Sequence, residues 1–301
     1  MSVYDKLITT RNKIDAALDY CNQALAKRGI DRADTIYEIG DRLEPLEIDN
    51  SLRNSLIDGS ITEVYDDTIT NLDSCIFNDC SSLTILTLTA CSKIGDYEFM
   101  GCVSLTSVNL PAVISIGSNM FTSCSTLTSI SLPKCTDIGY KAFYDCRSLT
   151  SIDLPVCNAI NTNAFYNCFS LSFINLPACR MVPMSTFVNC KSLESVYLPD
   201  CRAIDNNAFY NCVKLSSLSL PECYQIAPSV FFGCLKLMSL TLGYSGVVSL
   251  LDVEAFQNTP MSKSQYTGSF GSIYVPASLV EAYKVASNWS AYADRITAII
   301  G

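Results

Sequence analysis

Eight cysteines, Cys80, Cys102, Cys124, Cys146, Cys168, Cys190, Cys212 and Cys234, recur at every 22nd position. A second series falls half a period later at Cys91, Cys135, Cys157, Cys179, Cys201 and Cys223, with Val113 in its vacant place. A phenylalanine stands three positions before each first-series cysteine, from Phe77 to Phe231, and a leucine three positions after it, from Leu83 to Leu237. Prolines recur in register at Pro111, Pro133, Pro155, Pro177, Pro199 and Pro221. A fixed period of this length dictates a stack of near-identical coils, because one such unit cannot bury its apolar side alone.

The unit starting at Cys146 reads C-R-S-L-T-S-I-D-L-P-V-C-N-A-I-N-T-N-A-F-Y-N. Leu149, Ile152 and Leu154 follow the leucine-rich spacing of a short strand and a turn. By the period of two, Ile152 and Leu154 point inward while Ser151 and Asp153 point out. Pro155 has no N–H to give, so the strand should end there. Ile160, Ala164 and Phe165 then form the inward side of the return, which the pattern predicts as a short helical or 3₁₀ turn. Coils of this kind stack at ~4.8 Å per repeat.

The units resemble those of the BspA-type leucine-rich repeat proteins, which read C-x-x-L-x-x-I-x-L-P and then I-G-x-x-A-F-x-x-C. Ile138-Gly139-Tyr140-Lys141-Ala142-Phe143-Tyr144-Asp145-Cys146 matches the second half. The resemblance covers roughly residues 56–301 and implies an α/β repeat, a right-handed leucine-rich-repeat solenoid with an N-terminal helical region and a C-terminal helix-bearing cap. Fold alone does not fix function, since one scaffold serves many binding roles.

The organisation expected is a helical attachment or oligomerisation region over 1–50, the solenoid over 51–248, and a terminal repeat with its cap over 249–301. Ile61 and Val64 stand one full period before Leu83 and Leu86, so the register already holds in a degenerate first coil. At the far end the step from Phe231 to Phe256 exceeds the period, and Thr259 replaces the cysteine. The segment 277–300 then reads as a helix-bearing cap whose lone tryptophan, Trp289, covers the last coil. This ending resembles those of repeat proteins from gut-type Firmicutes bacteria and their phages.

In the first 50 residues, Ser2 and Asp5 make a capping box and Gly29 a helix stop. Leu7, Ile14 and Cys21 fall at heptad a, and Leu18 and Leu25 at d, with Arg11 spoiling one d position. A short parallel coiled coil, giving a homodimer or homotrimer, and packing on a neighbouring protein both account for that stripe. A second amphipathic stretch, Ile36, Ile39, Leu43 and Leu46, leads into the repeats. This order resembles the N-terminal attachment regions of phage tail and other virion proteins, which implies contacts with other virion proteins through residues 1–50.

Composition narrows the chemistry. Histidine is absent, which removes the commonest general base and metal ligand. The net charge is −9 and no basic stripe is visible, so nucleic acid is not an expected partner. No run reaches the ~18 apolar residues of a membrane span. The start, Met1 to Lys6, shows no signal-peptide pattern, so a chain folding in a reducing cytosol is expected. The ladder cysteines then read as buried thiols used as small apolar side chains. Neighbouring rungs lie within bridging reach, but they point in parallel and a reducing compartment disfavours oxidation. Zinc would need convergent ligands at C-x₂₋₄-C spacing, and a catalytic thiol would need a basic partner. Neither is present, and no metal, cofactor or enzymatic activity is expected.

What remains is a surface. Outward strand positions are mostly Ser, Thr and Asn, except Phe173 and Tyr197 on adjacent coils. These two read as binding anchors or as the scattered apolar residues of an ordinary surface. Tyr144, Tyr166 and Tyr210, with Phe232 in the same slot and Phe169 on the neighbouring turn, make either an aromatic ridge suited to sugars or coil-to-coil packing. Two functions follow. One is a phage virion protein, tail- or capsid-associated and assembled in the host cytoplasm, displaying the solenoid to a host-surface protein or glycan. The other is a bacterial cell-surface adhesin or a cytosolic interaction scaffold.

Overall fold

A computed structural model describes residues 59, 62–67, 69–72, 77–262 and 270–299. The helix residues Leu7, Ile14, Leu18, Cys21 and Leu25 lie outside them, as do Ile61 and Cys75.

Each coil has three sides. The first carries a strand, running from Glu63–Asp66 through Phe173–Asn175 to Ser239–Leu242. Neighbouring strands are parallel and in register by one repeat, so Phe173 stands opposite both Ser151 and Ser195. The register of the first coil is as its sequence implies, with Val64 opposite Leu86. After the strand comes a turn closed by the Cys157 N–H donating to the Leu154 carbonyl at 3.2 Å. It places Pro155 where the fixed φ of proline suits a turn.

The second side differs from the expectation of a short helical or 3₁₀ turn. It carries another parallel strand of two residues, such as Ala159–Ile160 or Met181–Val182. The third side follows as consecutive tight turns, in which Ala164, Tyr166 and Cys168 N–H groups donate three residues back. Asn163 and Asn167 both sit in the left-handed region, at φ 59° each, and the same pair of slots repeats as Asn119/Ser123, Ser185/Asn189 and Asn207/Asn211. A left-handed residue every fourth position stops a helix from propagating. Asparagine dominates because it tolerates that conformation better than other side chains.

The core lies between the three sides. Leu171, Ile174, Leu176, Cys179, Val182, Phe187 and Cys190 of successive corners are all fully buried. The phenylalanines form one column from Phe77 to Phe256, with ring centroids 5.2–5.8 Å apart. The longer last step leaves that column unbroken, since Phe231 and Phe256 stack at 5.3 Å.

Among the described residues, the cysteines of both series are buried thiols that form no disulfide. From Cys102 on, each first-series thiol donates to the phenylalanine carbonyl of the preceding coil, as Cys168 does to Phe143 at 3.2 Å and Cys190 to Phe165 at 3.2 Å. Second-series thiols donate within their own coil, as Cys179 does to the Met181 carbonyl at 3.0 Å. A thiol is thus small enough for the corner and adds a second hydrogen bond to a carbonyl that already accepts a backbone N–H, as Phe143 does from Cys146.

A side-chain ladder runs up the turn side. Asn211 Nδ2 donates to Asn189 Oδ1 at 3.3 Å, Asn189 to Asn167 at 2.9 Å, and Asn167 to Asp145 at 2.8 Å. Replacing Asn189 by alanine removes two rungs and places alanine at φ 60°. The expected loss is about 2 kcal/mol in urea unfolding, with Asn189→Gly losing about half as much because glycine accepts that backbone.

The end of the stack is closed by a cap. Strands Ser272–Val275 and Ile296–Ala298 extend the first side by two rungs. Between them lie the 3₁₀ turn Ala277–Leu279, the helix Val280–Val285 and the 3₁₀ segment Trp289–Arg295. Trp289 and Tyr292 lie against the last phenylalanine ring, Phe256, at 6.0 and 5.2 Å. The cap also meets the open edge of the last second-side strand, Ser249–Leu250. Trp289 Nε1 donates to the Val248 carbonyl at 2.6 Å, Asn288 Nδ2 to that of Leu250 at 2.7 Å, and the Tyr283 hydroxyl accepts the Val248 N–H at 3.0 Å. An exposed edge would otherwise invite pairing with another chain.

Candidate binding surface

The first-side strands turn alternate residues outward, and that face is mostly Ser, Thr and Asn. Phe173 and Tyr197 are 43% and 53% exposed, against an inward neighbour, Ile174, at 0%. The strand pairs Phe173 with Ser195 and Asn175 with Tyr197. The two aromatics are therefore diagonal neighbours on one face, within about 7–8 Å at the backbone. Asn175 Nδ2 donates to Asp153 Oδ1 at 3.2 Å beside them. Along the margin of the face, the hydroxyls of Thr84, Thr106, Thr128, Thr150 and Ser172 donate to carbonyls of the preceding coil. These groups are committed to the stack.

The other aromatics lie on the turn side. Tyr144 and Tyr166 stack at 4.9 Å with 9° between planes, and Tyr210 and Phe232 at 4.7 Å with 3°. Buried Val188 occupies the slot between the two pairs, so they do not join into one ridge. In each pair the rings cover one another. Lys141 Nζ lies 5.1 Å from both the Tyr140 and Tyr144 centroids. Phe169 stands apart, half-buried, with Arg147 from the coil before and Lys191 from the coil after at 5.8 and 5.1 Å from its centroid. Those two cations were legible only through the register, which puts them one repeat either side of Phe169.

Burial raises the ladder thiols from Cys91 to Cys234 above the ordinary range, to about 11 at Cys135, Cys179 and Cys223. A thiol held protonated in this way is a poor nucleophile at neutral pH. Among the described residues no group of three or more Cys, Asp or Glu side chains is placed to hold a metal ion. No described helix is long and apolar enough to cross a membrane.

A stack of parallel repeat coils with a leucine, phenylalanine and cysteine core defines a leucine-rich-repeat solenoid, a class of binding scaffold. The chain belongs to the BspA type leucine-rich repeat family, whose pattern matches residues 59–171 and 158–277 in six copies. Solved structures similar to it include a leucine-rich repeat protein of T. pallidum, at 24% identity over 55% of this chain and 70% of that one, with a TM-score of 0.44. Another is a leucine-rich repeat protein of Eubacterium ventriosum, at 17% identity over 69% and 67%, with a TM-score of 0.47. A leucine rich cell surface protein of Faecalibacterium prausnitzii aligns at 21% identity over 77% and 82%, with a TM-score of 0.34. No curated protein sequence matches the chain.

Proposed function

We propose that this is a non-enzymatic display protein of a phage particle, tail- or capsid-associated, assembled in the host cytoplasm. Residues 1–50 attach it to other virion proteins, and the solenoid presents its strand face to a protein or glycan of the host surface. The observation that carries the display reading is the diagonal pair Phe173 and Tyr197, exposed among the central coils, where the other outward strand residues from Ser107 to Thr241 are small and polar. Large aromatics in such a setting supply contact area at little entropic cost and are typical anchors. The particle reading rests on the resemblance of both chain ends to phage-encoded proteins.

Two measurements test the two halves. Mass spectrometry of particles purified from producing cells should find the chain at stoichiometric levels. Its absence there, with the chain on the cell surface or in the cytosol, would leave an adhesin or an interaction scaffold. In cell-binding assays the double variant Phe173→Ala/Tyr197→Ala should bind host cells at least about tenfold more weakly. Its stability should change by no more than about 0.5 kcal/mol, because both side chains are exposed. Unchanged cell binding would remove this face from the contact.

A further inference from the structure

One edge of the solenoid, between the turn side and the strand face, gathers positive charge in a chain whose net charge is −9. Arg147, Phe169 and Lys191 hold the same slot on three consecutive coils, each directly after a first-series cysteine, Cys146, Cys168 or Cys190. The backbone places them in line, with the Ser170 N–H donating to the Arg147 carbonyl at 3.2 Å and the Ser192 N–H to the Phe169 carbonyl at 3.1 Å. Phe169 lies between the two cations. Cation–π attraction on this scale restrains long side chains that would otherwise wander. Lys214 and Lys236 continue the edge on the next two coils, one slot further along.

The charges differ in what already holds them. Arg147 Nε is 3.7 Å from Asp145 Oδ1, and Lys214 Nζ is 3.6 Å from Glu194 Oε1. Both are loose, solvated pairs of little intrinsic strength. Lys191 and Lys236 are exposed and pair with no carboxylate among the described residues. Beside them Ser148, Ser170 and Ser192 form a column of hydroxyls. Unlike the threonines bordering the strand face, these hydroxyls are engaged with no partner among the described residues.

We propose that this edge binds a linear acidic polysaccharide lying along the solenoid axis, with a carboxylate on alternate sugar rings. Coils repeat at ~4.8 Å, so Arg147 and Lys191 stand ~10 Å apart along the axis, about the length of two sugar rings in an extended chain. The free hydroxyls suit ring hydroxyls, and the restrained cations suit the carboxylates. Single-stranded nucleic acid fits less well: it carries a charge on every nucleotide, and four cations in an acidic protein neutralise few of them. The proposal rests on the display reading and names the glycan such a surface would meet.

The test uses the full chain and a fluorescent hyaluronan octasaccharide at physiological salt. Wild-type protein should bind it, while the methyl-esterified oligosaccharide should bind at least about tenfold more weakly. Arg147→Ala/Lys191→Ala should lose at least about tenfold, and Phe169→Ala should lose severalfold by freeing both cations. Phe173→Ala/Tyr197→Ala should change binding less than about twofold, and all variants should keep the wild-type circular dichroism and Tm. Absence of wild-type binding overturns the proposal, as does binding that survives loss of both cations. Equal affinity for a single-stranded oligonucleotide would also overturn it. If the protein binds host cells but not the oligosaccharide, this inference fails and the display reading stands; absence from both particles and host surfaces is the failure of the display reading itself.

Discussion

Titrating the protein from about pH 8 to about pH 10 in reducing buffer is expected to unfold the solenoid. Seven first-series thiols, Cys102 to Cys234, and six second-series thiols, Cys91 to Cys223, are held protonated by burial. Four of the second series are pushed to about 11 and Cys157, beside Cys135 and Cys179, to about 12. The first series lies higher still, because burial strips water from each of these sulfurs more completely. In the unfolded chain the same thiols ionise near ~8.5. Above that pH the unfolded state binds fewer protons than the native one, so stability falls as pH rises and keeps falling until the native thiols themselves ionise. Each group contributes at most about 1.4 kcal/mol per pH unit. One unit above the ordinary thiol range the thirteen together remove about 10–20 kcal/mol, as much as a typical domain's whole stability of about 5–15 kcal/mol. Far-UV circular dichroism against pH should show a steep loss between about pH 9 and 10. Cys135→Val should move that midpoint upward, since Val113 already fills the equivalent slot with no exposure. A native spectrum persisting at equilibrium at pH 11 would overturn the argument.

The same thiols show what a sequence of this kind discloses. The period and the inward positions were readable because burial recurs at fixed residues, and Ile160, Ala164 and Phe165 are all buried as their spacing implies. The backbone of the return side is less legible, because its signal is conformational. Asn163 and Asn167, four apart, mark two left-handed residues and so a pair of turns, while Ala164-Phe165 between them reads as helix by apolar spacing alone. The asparagine ladder was equally hidden. Each side chain needs its partner one repeat away, and only the observed backbone shows that Nδ2 of one rung meets Oδ1 of the last.

The binding surface was legible only in part. Strand alternation placed Phe173 and Tyr197 outward, as found. The tyrosines beside the phenylalanine column left ridge and packing open, and the structure shows their rings covering one another in two separate pairs. The cationic edge went unseen because its residues are scattered along the sequence from Arg147 to Lys236. Charge that is sparse along the chain becomes a column when residues one repeat apart are neighbours.

Replacing Phe165 by alanine is the substitution expected to damage the array most. Phe165 is fully buried and lies between Phe143 at 5.2 Å and Phe187 at 5.5 Å, nearly parallel to both. Truncating a buried phenylalanine costs about 3–5 kcal/mol, and here it also interrupts the column. In a solenoid each coil touches only its neighbours, so stability is a sum of local terms and a weak link in the middle uncouples the two halves. The C-terminal half keeps its column from Phe187 to Phe256 and the cover of Trp289 and Tyr292. Urea unfolding of Phe165→Ala should therefore become biphasic, with the capped half melting last. Hydrogen exchange should show amides of the neighbouring coils losing protection before those near Trp289. Phe165→Leu, which refills most of the volume, should restore a single transition within about 1.5 kcal/mol of wild type. One cooperative transition in Phe165→Ala with a loss below about 1 kcal/mol, well under the cost of an ordinary buried truncation, would mean that the column carries little of the coupling between coils. The thiol and strand hydrogen bonds would then have to hold the stack together without it.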